Sequence, residues 1–265
     1  GFFVTKKLSE ELNYNSSDFI SQNPNGCGPF CKDFIWEQGM RLVQSELAET
    51  LKGIRDIGPN YFYYGPVAKQ LVEQNYFTML DMVSYQIRWR KPLIGEYMGW
   101  EVITMPPPSS GGVALLQLLY GSERDLNTMQ ELESVASYHD FTELTRIVYE
   151  DRARHLGDPD YMNTTTADLL DTSYLYKRFA NIDPKRAGKS PNLAVPLSEE
   201  SSETTHFSIL DKDGNSVAIT TTLNASYGSK RWVSGFFMNN EMDDFSISPG
   251  VPNQFGLIGF EANSI

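Results

Sequence analysis

The histidines of this chain form no familiar catalytic set. The three present, His139, His155 and His206, lie at spacings that match no metal-binding pattern. No Gly-x-Ser-x-Gly segment is present to form a nucleophile elbow. An enzyme with this sequence would need a base other than histidine. An α-amino group, whose pKa lies near about 7.7–8.0, can fill that role.

Thr204 stands where such a base could arise. A threonine at a chain N-terminus carries its own α-amino group as the base for its hydroxyl. Thr204 follows a stretch, 183–203, rich in proline, serine and glutamate, and it precedes a strand-like run that begins at His206. Cleavage between Glu203 and Thr204 would expose the amino group. Two threonines before a strand are commonplace when taken alone.

Several short segments accompany Thr204 in a fixed order. They are Thr204-Thr205-His206-Phe207-Ser208, Asp211-Lys212-Asp213-Gly214-Asn215, Thr220-Thr221-Thr222-Leu223-Asn224, Asn239-Asn240-Glu241-Met242-Asp243-Asp244-Phe245 and Pro249-Gly250-Val251-Pro252-Asn253. Upstream lie Arg41-Leu42-Val43-Gln44, the run from Met105 to Gly112, and Asp151-Arg152-Ala153-Arg154 followed by Asp158-Pro159-Asp160. From about Arg41 onward this ordered set resembles the gamma-glutamyltranspeptidases, a family of N-terminal-nucleophile hydrolases, although no single segment is specific.

The resemblance implies both a fold and a set of roles. The fold is α+β, an αββα sandwich of four layers with two central antiparallel sheets, incomplete in this chain. The nucleophile falls on Thr204 and a threonine that supports it falls on Thr222. Groups that hold the α-amino end of a glutamyl substrate fall on Asn224, Glu241 and Asp244. Two carboxylates and an amide oxygen suit an ammonium group, whereas without the motif these acids would indicate a solvated turn.

The chain also departs from the family. Members extend beyond both of its ends, where they carry a serine pair, the glycine pair of the oxyanion hole and an arginine that binds the substrate carboxylate. The segment 230–235 is a couple of residues short, Phe255 stands where some members have a lid tyrosine, and 259–263 reads Gly-Phe-Glu-Ala-Asn. We therefore expect little turnover from the isolated chain.

The two cysteines, Cys27 and Cys31, lie in a loop rich in turn-forming residues. Their spacing differs from the Cys-x-x-Cys of redox enzymes and zinc sites, and no second pair completes a metal site. A local disulfide and free thiols are both open. We expect neither a metal nor a cofactor.

Composition is ordinary for a soluble globular protein. A net charge of −12 disfavours nucleic acid as a partner, and no apolar run reaches the length of a membrane span. The first seven residues lack the order of a secretory signal. A periplasmic or extracellular location is therefore implied by the family resemblance alone.

Periodicity predicts the elements that position these groups. Helices are expected at 8–12, from Ser45 to Gly58, from Pro66, after a Thr78 cap, after Gly112, and over 131–156 and 167–181. Two or three antiparallel strands are expected from Gln86 to Met105, and two more over His206–Leu210 and Ser216–Thr222. The turn between the last two resembles the start of a calcium loop. Its twelfth position is Thr222 rather than glutamate, so a hairpin turn is favoured.

Two portions follow from the cleavage site. Residues 1–203 would be a mostly helical large-subunit portion with a short antiparallel sheet, and residues 204–265 the β-rich start of a small subunit of the same precursor. The implied function is γ-glutamyl transfer from glutathione-like amides to water or an amino acceptor. The alternatives are a catalytically inactive remnant or binding protein of the same fold, and a cephalosporin or glutaryl acylase. A glutaryl group lacks the α-amino group that Glu241 and Asp244 would bind.

Overall fold

The structure is a computed structural model that describes residues 1–124, 134–190, 204–251 and 253. The chain divides into two compact units, Gly1–Arg88 with Ser201–Glu241 and Trp89–Glu200 with Met242–Ile265. The predicted portions 1–203 and 204–265 are the expected products of cleavage, which need not coincide with these compact units. That division stays a prediction.

The first unit begins with two short helices beside a two-stranded ribbon. Strands β1 (Phe2–Phe3) and β2 (Arg41–Leu42) pair antiparallel, and helices α1 (Lys6–Tyr14) and α2 (Ser16–Gln22) lie between them in sequence. The Thr5 hydroxyl accepts from the Leu8 amide and caps α1. Helix α2 lies where the sequence predicted no helix. The apolar residues of α2 are adjacent, so they make no helical repeat in sequence.

A disulfide joins Cys27 to Cys31 and settles the question that spacing left open. Cys27 is completely buried, in a cluster that includes Phe19 of α2, Phe30 and Trp232. The loop between the two cysteines is thus packed into the core and ties the end of α2 to residues more than two hundred positions later.

Four helices follow in this unit. They are α3 (Ser45–Ile57), α4 (Asn60–Tyr63), α5 (Pro66–Glu73) and α6 (Met79–Ser84). The helix from Ser45, the start at Pro66 and the Thr78–Asp81 capping box are as predicted, with Gly58 ending α3 at a φ of 78°. Buried side chains of α5 and α6 form a core with Val233, and half-buried aromatic side chains of α4 pack against it.

Two hairpins complete the first unit. Strand β5 (Thr205–Leu210) pairs antiparallel with β6 (Ser216–Thr221), and the short strands β7 (Trp232–Val233) and β8 (Phe236–Phe237) pair in the same way. At the β5–β6 turn the Asp211 carboxylate accepts from the Asp213 and Asn215 amides, each at 2.9 Å. The predicted hairpin turn is confirmed.

The second unit contains the predicted antiparallel pair and helices. Strands β3 (Leu93–Tyr97) and β4 (Trp100–Thr104) form one hairpin, so two strands are present where two or three were expected. The helices are α7 (Gly111–Arg124), α8 (Val135–His155), α9 (Thr166–Leu169) and α10 (Thr172–Phe179). They enclose a core of Leu144, Ile147, Val148, Leu175 and Phe179. A 3₁₀ turn, Glu241–Asp244, follows the β7–β8 hairpin in sequence.

The mixture of helices and antiparallel strands agrees with an α+β fold, but the expected four-layer sandwich is not visible. Each sheet within the described ranges contains two strands. Every residue of β5 and β6 is exposed, so within the described residues no second layer covers either face of that hairpin. None of the helices in these ranges is long and apolar enough to cross a membrane.

The disulfide supplies the first prediction. Replacing both cysteines with alanine should lower the free energy of unfolding, because a five-residue closed loop restricts the unfolded chain by about 2 kcal/mol. Urea unfolding followed by fluorescence measures the change. Unfolding of the reduced wild-type chain separates the effect of the crosslink from that of the lost sulfur atoms. An unchanged midpoint in both samples would show that the loop is held by packing alone.

Candidate active site

The β5–β6 register brings two of the predicted residues to one end of a hairpin. Thr205 lies opposite Thr221, so Thr204 precedes one strand and Thr222 follows the other at the same end. Directly opposed residues of an antiparallel pair have Cβ atoms about 4.5–5.5 Å apart. Thr204 and Thr222 lie one position beyond the last residue pair of the two strands. Thr204 is exposed and Thr222 is half-buried. A nucleophile and a supporting hydroxyl need such an arrangement.

Asn224 lies two residues after Thr222 and is hydrogen-bonded to it. The backbone amide of Asn224 donates to Thr222 Oγ1 at 3.0 Å, and the φ angle of Asn224 is 74°. Asparagine is among the residues that adopt this left-handed conformation most readily. Asn224 is buried. The hydrogen bond makes the Thr222 hydroxyl an acceptor and ties it to the tight bend at Asn224.

A second asparagine holds that bend in place. Asn224 Nδ2 donates to the Asn240 carbonyl at 3.1 Å, and the Ala225 amide donates to Asn240 Oδ1 at 3.0 Å. The Asn240 amide donates in turn to the Leu223 carbonyl at 3.2 Å. These three bonds join the segment after β6 to the segment just before Glu241.

The two predicted acids lie at the ends of the 3₁₀ turn, and both are half-buried. The Glu241 amide donates to Asn239 Oδ1 at 3.1 Å, which fixes the start of the turn. The Asp244 carbonyl accepts from Asn253 Nδ2 at 2.8 Å. The backbone is therefore anchored at each acid.

Sequence reasoning missed Asn240. It stands in the quoted Asn-Asn-Glu-Met-Asp-Asp segment, but only the acids were given a role. The structure shows that it organises the loop through its hydrogen bonds to residues 223–225. His206 faces Thr220 Oγ1 at 2.8 Å and Ser208 Oγ at 3.3 Å, which suits a strand residue. Glu203, Phe255 and 259–263 lie outside the described residues.

An apolar cleft of about 510 Å³ borders this loop within the first unit. Leu223 and Asn239, the neighbours of the paired asparagines, contribute to its wall. The other lining residues are Phe62, Tyr63, Leu71, Phe77, Asp81, Met82, Tyr85, Phe236, Phe237 and Met238. The asparagine pair therefore separates a polar hairpin end from a largely aromatic surface.

Solved structures similar to this chain are N-terminal-nucleophile hydrolases. The gamma-glutamyltranspeptidase of Helicobacter pylori has a TM-score of 0.65 and 31% identity, covering 72% of this chain and 56% of that one. That of Pseudomonas nitroreducens, complexed with L-DON, has a TM-score of 0.61 and 35% identity, covering 72% and 58%.

A model of the gamma-glutamyltranspeptidase family matches residues 1–265, and the chain belongs to this family. It is 36% identical over 277 residues to a glutathione hydrolase proenzyme of Escherichia coli, covering 100% of this chain and 47% of the relative. It is 43% identical over 236 residues to one of Pseudomonas aeruginosa, covering 86% and 42%. The chain thus spans less than half the length of these two relatives.

The turn of the β5–β6 hairpin gives a prediction about pH. A hydrogen bond from the Asn215 side chain, joined by backbone amides, lowers the pKa of the Asp211 carboxyl. Because the folded pKa is depressed, this stabilisation is present above the ordinary aspartate pKa and is lost as pH falls through the folded value. NMR titration of the Asp211 carboxyl carbon should show a midpoint below about 3.9, the ordinary aspartate pKa.

The Asn215→Ala variant is the control for this titration. It removes the side-chain donor and should return the Asp211 midpoint toward the ordinary value, with a parallel change in the amide shifts of β5 and β6. The same midpoint in both proteins would show that Asn215 does not stabilise the carboxylate.

Proposed function

We propose that the protein containing this chain transfers γ-glutamyl groups from glutathione-like amides to water or an amino acceptor, with Thr204 as nucleophile. The hairpin register that sets Thr204 beside Thr222 carries this proposal. The names of the relatives, glutathione hydrolase proenzymes, support the reaction and the need for self-cleavage.

Self-cleavage would use the same hydroxyl as catalysis. Thr204 Oγ attacks the carbonyl carbon of Glu203, the Glu203–Thr204 amide bond breaks, and the nitrogen gains the proton. The product is an ester between Glu203 and Thr204. Water hydrolyses this ester to a Glu203 carboxylate and leaves Thr204 with a new α-amino group, the base that the chain otherwise lacks.

Acyl transfer then follows from the position of that amino group. The amine accepts the proton of Thr204 Oγ as the oxygen attacks the γ-carbonyl carbon of the substrate. Collapse of the tetrahedral intermediate releases the amine half of the substrate, which takes the proton. Water or an amino acceptor attacks the remaining ester and regenerates Thr204. Thr222, already a hydrogen-bond acceptor for Asn224, would orient the nucleophile from the neighbouring strand.

The α-amino end of the substrate would be held by Asn224, Glu241 and Asp244. Side chains at i and i+3 eclipse in 3₁₀ geometry, so a turn that begins and ends with an acid offers both carboxylates to one ammonium group. This arrangement favours a glutamyl over a glutaryl donor, because a glutaryl group has no α-ammonium group for the two carboxylates to hold.

After cleavage the two portions would stay together through non-covalent contacts. Thr50 Oγ1 donates to the Ser234 carbonyl at 2.6 Å, and Trp232 Nε1 donates to Glu46 Oε2 at 3.1 Å. Both cysteines lie before the cleavage site, so their disulfide does not cross it. The bacterial relatives support a secreted or periplasmic location for the mature protein.

Self-cleavage can be tested by intact-mass analysis of the full-length protein. Incubation should yield two fragments whose masses place the break between residues 203 and 204. Thr204→Ala should remain intact because the attacking oxygen is gone, whereas Thr205→Ala should still be cleaved. Cleavage at the same bond in Thr204→Ala would refute the role of this hydroxyl.

Recognition of the α-amino group can be tested at Asp244. In the mature enzyme Asp244→Asn should raise KM for γ-glutamyl substrates about ten- to a hundredfold, since a charge-assisted hydrogen bond contributes about 1.5–3 kcal/mol. Self-cleavage should persist. Asp243→Asn makes the same charge change at an exposed neighbour and should leave KM near the wild-type value. Equal effects of the two variants would assign Asp244 a general electrostatic role only.

A further inference from the structure

Asn23 is a buried side chain at the end of α2 that makes hydrogen bonds in three directions. Its Nδ2 donates to the Phe19 carbonyl at 2.7 Å and to the Lys230 carbonyl at 2.8 Å, and its Oδ1 accepts from the Trp232 amide at 2.7 Å. It is 8% exposed. Asn23 therefore joins the N-terminal helices to the strand that opens the β7–β8 hairpin.

The residues around Asn23 support the same hairpin. Cys27 and Phe30, both within the disulfide loop, belong to the buried cluster that contains Trp232, and the Phe30 and Trp232 ring centroids are 5.2 Å apart. Lys230 Nζ also pairs with Asp18 of α2. The hairpin is thus held from one side by polar contacts and from the other by aromatic packing.

The hairpin leads directly to the loop that would bind substrate. The Met238 amide donates to the Arg231 carbonyl and the Ser229 amide to the Met238 carbonyl, both at 2.9 Å. Two residues after Met238 comes Asn240, whose side chain and backbone hold Asn224 and Ala225. A shift of the strand at Lys230 and Trp232 would be transmitted through this ladder to the asparagine pair.

We propose that Asn23 is a positioning residue for the substrate loop, since it fixes the β7–β8 hairpin and thereby the Asn224–Asn240 pair. This inference rests on the proposed role of Asn224 and Glu241 in substrate binding. Asparagine suits the position because it offers a donor and an acceptor on one short side chain. Aspartate keeps the acceptor for Trp232 but places a carboxylate oxygen against the Phe19 and Lys230 carbonyls, and alanine loses all three bonds.

Hydrogen exchange tests the structural half of this inference without any need for turnover. In the full-length protein, Asn23→Ala and Asn23→Asp should both speed amide exchange across residues 225–240. Asn13→Ala is the matched control. Asn13 likewise binds both backbone groups of one residue. Its Nδ2 donates to the Trp36 carbonyl at 2.9 Å, and its Oδ1 accepts from the Trp36 amide at 2.8 Å. Trp36 is not in the β7–β8 hairpin. Equal exchange of this segment in Asn13 and Asn23 variants would overturn the inference.

Kinetics of the full-length mature enzyme test the functional half. Asn23→Asp should raise KM for γ-glutamyl substrates about tenfold, the effect of losing a hydrogen bond, while kcat stays within about twofold. Asn13→Ala should lower the melting temperature without raising KM. A fall in kcat at unchanged KM, or the same KM change in the Asn13 variant, would contradict a positioning role. A wild-type enzyme that turns over no γ-glutamyl amide would instead refute the proposed function, and hydrogen exchange would then decide the role of Asn23.

Discussion

The antiparallel register between Thr205 and Thr221 is the constraint on which the candidate site depends. It brings the residue before β5 and the residue after β6 to one end of the hairpin, so Thr204 and Thr222 become neighbours although 17 residues separate them. A slip of one position would turn every side chain to the opposite face. The turn at Asp211 sets this register, because the Asp211 carboxylate accepts hydrogen bonds from the backbone amides of Asp213 and Asn215.

A single hairpin exposed on both faces cannot supply this order by itself, since isolated two-stranded hairpins are marginal in water. The adjoining segment provides more support. Asn224 and Asn240 join the end of β6 to the β7–β8 hairpin. That hairpin is anchored in turn by Asn23 and by the core around the disulfide. The polar end of the site is thus connected through these contacts to the packed core of the N-terminal region.

Much of this arrangement could be predicted from sequence because it is local. The helix from Ser45 to Gly58, the Thr78–Asp81 cap and the turn at Asp211 each depend on residues a few positions apart. The contacts that sequence did not reveal are distant. Asn23 meets Trp232 across more than two hundred residues, and the two-residue strands β7 and β8 have too few positions to show a period. Asn240 was missed for the same reason, since its role appears only when two loops meet.

The site residues were predicted from family motifs, whereas the helices and strands were predicted from local sequence patterns. The positions of Thr204, Thr222, Asn224, Glu241 and Asp244 came from an ordered set of motifs. In the structure Thr204 and Thr222 flank one end of the β5–β6 hairpin, and a hydrogen bond joins Asn224 to Thr222. Their roles in catalysis and binding follow from the family motifs and stay predictions. The four-layer sandwich likewise needs sheets wider than the two-stranded pairs of the described ranges.

The central claim is that Thr204 is the nucleophile. The most direct measurement is covalent labelling of the mature full-length protein with an electrophilic glutamyl analogue, followed by peptide mapping by mass spectrometry. One adduct is expected, on the peptide that begins with Thr204, and excess glutathione should prevent its formation by competing for the site. A label on any other residue, together with loss of activity, would contradict the assignment.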